Sequence, residues 1–149
     1  MNKFRKRFDP FFNKYRYLIL IILFTIVLRL PTLFEPNRYA DEDIYLTLGL
    51  GLRRGLVFYR DIHDNKPPLL YLLAAIAGNV AVFRFILLLW HSTNLVIFFH
   101  LAKKFFQKPL FINLSTAIFA LLTTIPLTEG NIANGEIFMI MPATIAVYI

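Results

Sequence analysis

The chain has 149 residues, of which 58% are hydrophobic and 17% charged, and its mean hydropathy is +0.60. A soluble domain sits nearer half apolar and a quarter charged, so this balance points to a membrane. The absence of cysteine excludes a disulfide framework or thiolate metal site; the charge of +7 does not mark a nucleic-acid binder, because the aromatics lie inside apolar runs and not among exposed basic residues.

The chain opens with Lys3, Arg5, Lys6, Arg7, Lys14 and Arg16, followed by the apolar run "YLILIILFTIVLRL". A first span is predicted over about 17–30, ended by Pro31. Its apolar character continues to Phe34 with Arg29 as its one charge, and a bilayer core needs about 17–25 such residues. No small-residue cleavage site follows, so the segment reads as an uncleaved anchor.

Residues 31–82 are expected as a loop, which carries "YADEDIY" at positions 39–45. Asp41, Glu42 and Asp43 stand at the start of a predicted helix over 41–54, with Arg53-Arg54 at its end and Gly55 in the stop position. Acids at a helix start and bases at its end each contribute about 0.3–1 kcal/mol, which is a sufficient structural reason for the pattern. Ile44, Leu48 and Leu52 define its expected apolar face, with Tyr45 beside them. Three adjacent carboxylates fan out by about 100° per residue, however, so they cannot all serve one cap.

The loop continues through "GLVFYRDIHDNKPPLLYLL". Arg60 and Lys66 are cations suited to a phosphate, and Asp61, His63 and Asp64 add polar groups. The bland account is a solvated turn in which Arg60–Asp61 and Asp64–Lys66 neutralise each other. Residues 67–77 are expected as a short interfacial helix with its prolines in the first turn. Extending it into the next span would bury Arg84 at a cost of about 2.5–3.5 kcal/mol. A span starting at Phe83 lets Arg84 snorkel at the outer interface.

Further spans are predicted over about 83–102, 110–127 and 132–149, the last beginning near Ile132 or Glu136. "HSTN", His91 to Asn94, falls mid-span and is read as helix packing; Trp90 is read as a lipid or interface contact. With the basic N-terminus in the cytoplasm, the 31–82 loop and "TEGNIANGE" lie outside and "KKFFQK" inside, which follows the positive-inside pattern. In the first outer loop, five bases against six acids leave that bias weak. Residues 1–149 read as the N-terminal part of a longer all-α polytopic membrane protein.

The order of a span, "RLP", "DED.Y", "YRD....KPPL.Y", "FR", a second span and "NGE" resembles the polyprenol-dependent membrane glycosyltransferases of the GT-C fold. The branch it is most similar to groups protein O-mannosyltransferase-like, aminoarabinose-transferase-like and RgtA/B/C/D-like enzymes. The resemblance implies Asp41 as catalytic carboxylate with Glu42 as companion, the register open by one or two positions because Asp43 adds a third acid. It further implies Tyr59, Arg60, Asp61, Lys66, Pro67 and Pro68 as the turn beneath the site. Arg84 matches an arginine at the outer start of the second span, Glu136 an acid facing the same cavity, and Asn134 a weaker candidate.

What the resemblance implies is an inverting transfer of a sugar from a polyprenyl-phosphate donor to a hydroxyl of a glycan, lipid or protein, at the outer face of the plasma membrane. No cofactor is expected; a divalent metal is left open, though none is indicated. This stretch by itself is expected to be inactive. The rival from another class is a non-enzymatic polytopic membrane protein, a transporter segment or an assembly subunit.

Overall fold

A computed structural model describes residues 3–36 and 39–149, with side chains described from Phe12 onward. The side chains of Lys3, Arg5, Lys6 and Arg7, counted above in the basic cluster, and Arg38 lie outside the described residues. Every regular element among the described residues is helical: α1 (Lys3–Arg29), α2 (Ala40–Arg53), α3 (Pro68–Ala77), α4 (Val80–Phe105), α5 (Pro109–Leu122) and α6 (Gly135–Tyr148).

Two segments are long and apolar enough to cross a bilayer, Phe12–Leu33 and Val80–Phe105. Both leave large apolar side chains uncovered, among them Leu20, Phe24, Val27, Phe85 and Leu89. A core helix of a water-soluble protein would bury these, and apolar surface on this scale marks a lipid or protein contact. The helices expected over 110–127 and 132–149 are shorter than drawn. With 14 residues each, α5 and α6 run about 21 Å, against a hydrocarbon core of about 30 Å. The cause in α5 is Pro126, which drives Ile125 into extended backbone (ψ 149°) and ends the helical run.

The helix boundaries follow local chemistry. Pro67 and Pro68 start α3, where a missing N–H costs nothing. Gly78, left-handed at φ 69°, closes it. The next residue, Asn79, caps α4 by accepting a hydrogen bond from Val82 N–H at 3.0 Å. The span therefore begins at Val80, three residues before the expected Phe83.

α1 and α5 run parallel and touch each other, and α4 packs antiparallel against both. Leu18, Phe99 and Ile112 share one cluster at the basic end. At the other end, Arg29 donates to the Thr123 carbonyl at 2.8 Å and the Gly130 carbonyl at 2.5 Å. Eleven residues separate Leu18 from Arg29 and Ile112 from Thr123 alike, so the two helices keep one register. Arg29 thereby supplies a cation where the α5 carbonyls run out of partners.

α6 packs along α4 through Phe83–Phe138 stacking at 5.3 Å. Pro142, inside α6, has no N–H for the carbonyl of Phe138. The Trp90 indole donates to that carbonyl at 3.0 Å. Trp90, half-buried, is therefore a polar link between helices, a role not expected from its type; in lipid, a neighbouring helix has to satisfy such a freed group. Within the "HSTN" stretch, Ser92 and Thr93 bond back to their own helix, and His91 is buried against Thr123 and Thr124 (3.3 and 3.5 Å).

On α2, Leu48, Leu52 and Tyr45 pack against the core as expected. Ile44 is exposed, while Glu42 and Gly49 also turn inward. Gly49 decides this face: a Cβ there would lie 2.6 Å from the backbone N of Ala75. Only a glycine admits the close crossing of α2 and α3.

Candidate functional site

The loops at the end of the bundle opposite the N-terminus gather most of the residues singled out in the sequence. The first turn of α2 disperses its three acids as the 100° spacing demands. Asp43 stays exposed, Asp41 is half-buried, and Glu42 is fully enclosed.

Glu42 does not flank an open site. Arg84 grips it in a two-pronged pair, Nε to Oε1 at 2.9 Å and Nη2 to Oε2 at 2.6 Å, and Ala133 N–H adds a third bond at 2.8 Å. Arg84 also donates from Nη1 to the carbonyls of Thr32 and Glu35 at 2.6 and 2.9 Å. Arg84 does not snorkel to the interface as its position suggested; it is 4% exposed. The desolvation of Arg84 is offset by four hydrogen bonds, two of them to the carboxylate of Glu42. The pair ties the end of α1, the start of α2, the first turn of α4 and the segment before α6 into one knot.

Asp41 stands beside this knot. Its Oδ2 accepts a hydrogen bond from the Tyr45 hydroxyl at 3.2 Å. Burial, then the charge of Asp41, pushes the Tyr45 phenol upward and keeps it a donor. Lys66 pairs with Glu136 (Nζ to Oε1, 2.5 Å) and not with Asp64. That carboxylate, hydrogen-bonded to it, holds the Lys66 ammonium above its ordinary range, and the charge of Asp41 acts in the same direction. Gly135 brings these side chains close: a Cβ there would lie 3.2 Å from Lys66 Cδ and 3.3 Å from the Tyr45 hydroxyl.

A shelf of rings supports the 58–66 turn. Tyr71 is fully buried, stacks on Phe58 at 4.7 Å and meets the edge of Tyr45 at 5.8 Å. Its hydroxyl donates to Asp64 at 2.7 Å and accepts from the Lys66 backbone N–H at 3.3 Å. Lys66 is aimed by this anchoring of its backbone. Arg60 behaves as the bland account held: it is exposed and bonded to Asp61 at 2.9–3.0 Å, while Asp61 also accepts from Val57 N–H at 2.8 Å. The guanidinium and the backbone N–H together hold the Asp61 carboxyl below the usual range. Tyr59 turns the chain here with φ 66°.

Asn134 is buried and caps α6, its Oδ1 accepting from Ile137 N–H at 2.9 Å and its amide donating to the Glu129 carbonyl at 3.3 Å. It positions Glu136 two residues on and offers no free polar group to a ligand. Tyr39 and Glu129 were not read from the sequence and join across the loops at 3.0 Å. Burial, then the Glu129 hydrogen bond, pushes the Tyr39 phenol up to about 12. Beside Tyr39 a cleft of about 400 Å³ opens, lined by Glu35, Asn131, Ile132 and Arg84.

The result is a rim holding a half-buried carboxylate, an ammonium and a second, exposed carboxylate. It offers a proton acceptor next to a cation that can face an anionic group. Among the described residues, no three His, Asp or Glu side chains gather to hold a metal ion. No protein-family model, curated protein or solved structure matches this chain.

Proposed function

We propose that the chain belongs to a membrane glycosyltransferase of the GT-C type that moves a sugar from a polyprenyl-phosphate donor to an acceptor hydroxyl, with the 31–82 loop outside and the N-terminus in the cytoplasm. The observation that carries this reading is the meeting of Asp41, Lys66 and Glu136, from two separate loops, at one end of a bundle with bilayer-length helices. The donor's lipid tail brings its phosphate to that level within the leaflet.

Asp41 takes the acceptor's proton as the acceptor oxygen bonds to the anomeric carbon. The bond from that carbon to the phosphate oxygen breaks, and its electron pair leaves with the polyprenyl phosphate. Lys66 faces the growing phosphate charge, for which it exchanges its contact with Glu136. Tyr45 fixes the Asp41 carboxylate, and attack opposite the leaving group inverts the centre. Glu42 and Arg84 hold the architecture and stay out of the reaction, since each is fully engaged with protein partners.

The rival is a non-enzymatic membrane subunit. Its support is that Arg60–Asp61, Lys66–Glu136 and Glu42–Arg84 neutralise one another without any ligand. Transfer assays with a panel of lipid-linked sugars separate the two. Asp41→Asn, in the enzyme containing this chain, should lower transfer by at least about 10²-fold with unchanged membrane insertion. Retained transfer rules Asp41 out as the base. For topology, Asp43→Cys and Asp64→Cys should each react with an impermeant thiol reagent on intact cells; reaction only after lysis reverses the orientation.

A further inference from the structure

We propose that the groove between α1 and α5 is a binding site for an anionic membrane phospholipid, with one acyl chain along the groove and the phosphate at the basic end of the bundle. This requires that the chain is inserted in a bilayer; it does not require that it transfers sugar.

The groove has a volume of about 800 Å³. Leu20, Phe24 and Leu28 of α1 form one wall and Leu114, Ile118 and Leu121 of α5 the other. Pro109 and Leu121 mark its extent on α5, which at 1.5 Å per residue is about 18 Å. One leaflet contributes about half of a hydrocarbon core of about 30 Å. The groove is thus as long as a single leaflet is deep, and it suits an acyl chain that stays in that leaflet.

An apolar groove alone would suit a helix equally well. What selects a lipid is the order of polar groups along it. Tyr17 and Pro109 form the mouth. The Arg16 guanidinium lies 4.6 Å from the Tyr17 ring centroid and donates to the Tyr17 hydroxyl at 2.9 Å, which fixes a cation at the mouth. Lys108, the exposed N-cap residue of α5, places a second cation directly ahead of Pro109 in the chain. Other cations at this end are turned elsewhere: Lys103 lies over Tyr15 and Phe99, and Lys104 over Tyr148. Asn113 lines the groove one turn inward of Pro109, about 6 Å deeper. Cations, then an amide, then an apolar trough reproduce the sequence of phosphate, glycerol esters and acyl chain. Basic pockets between membrane helices bind anionic headgroups in this way.

The test uses the full chain in vesicles of equal parts phosphatidylglycerol and phosphatidylcholine, with p-benzoylphenylalanine at position 118 in the groove or at Phe111, an exposed residue outside its lining. On irradiation, position 118 should capture phosphatidylglycerol over phosphatidylcholine by about tenfold, and position 111 should capture the two near their mixing ratio. Arg16→Gln with Lys108→Gln should bring position 118 down to that ratio as well. Three results would overturn the proposal: no preference at position 118, a preference that survives the double substitution, or crosslinking of position 118 to protein, which would assign the groove to another helix or a second copy.

Discussion

Glu42→Gln separates an architectural role from a chemical one. The substitution keeps the shape but removes the charge that answers the Arg84 guanidinium, and Glu42 and Arg84 are 0% and 4% exposed. One of the two Arg84 bonds to this side chain is lost outright, because an amide NH2 would face the guanidinium donors in place of Oε2. Thr32 and Glu35 carbonyls still receive Arg84 Nη1, but they carry no compensating charge. Breaking one side of a buried pair costs about 3–5 kcal/mol. At about 2–4 °C per kcal/mol for a chain of this size, the melting temperature should fall by roughly 6–20 °C. Trp90 is the single tryptophan and packs against Phe138, so its emission in a detergent melt reads the α4–α6 interface directly. Glu42→Leu combined with Arg84→Met should recover only part of the loss, because the apolar pair demands no desolvation but leaves Ala133 N–H and the Thr32 carbonyl without their partners. An unchanged melt in Glu42→Gln, together with lost sugar transfer, would refute the reasoning and make Glu42 the reacting carboxylate.

Lys66 should titrate above the ordinary lysine value of 10.5, and Glu136→Gln should bring it down, as read from the NMR signal of ¹³C-dimethylated lysines. Because the folded value is the higher one, the Lys66–Glu136 contact stabilises the fold fully below the unfolded pKa and is lost as pH rises through the folded one. Both side chains are partly in solvent, so Lys66→Gln should change stability by less than about 1 kcal/mol while transfer falls. Trp90→Phe leaves the Phe138 carbonyl without a donor and should cost about 1–3 kcal/mol. Adding Pro142→Ala restores the helical N–H and should return most of it; a melt with no such recovery argues against the carbonyl link.

Local chemistry was legible in the sequence wherever one or two neighbouring residues decide the backbone. Pro67-Pro68 and Gly55 mark their helix ends as read, and the acids and arginines of α2 lie at the ends that the helix dipole favours, whereas the Asn79 cap that starts α4 at Val80 was missed. The two bilayer-length segments follow from composition alone, since the cost of exposing apolar side chains to water adds up residue by residue. The tertiary structure alone decided which of three adjacent carboxylates turns inward. Glu42 does so because Arg84, 42 residues on, fills the space it points into, and because Gly49 lets α2 approach α3 on that face. The Lys66–Glu136 contact, the Trp90 link to the carbonyl freed by Pro142, and the early end of α5 clasped by Arg29 were hidden for the same reason. A charge or hydrogen-bonding group specifies what kind of partner it requires, but only the packing of distant segments determines which partner is near enough to answer it.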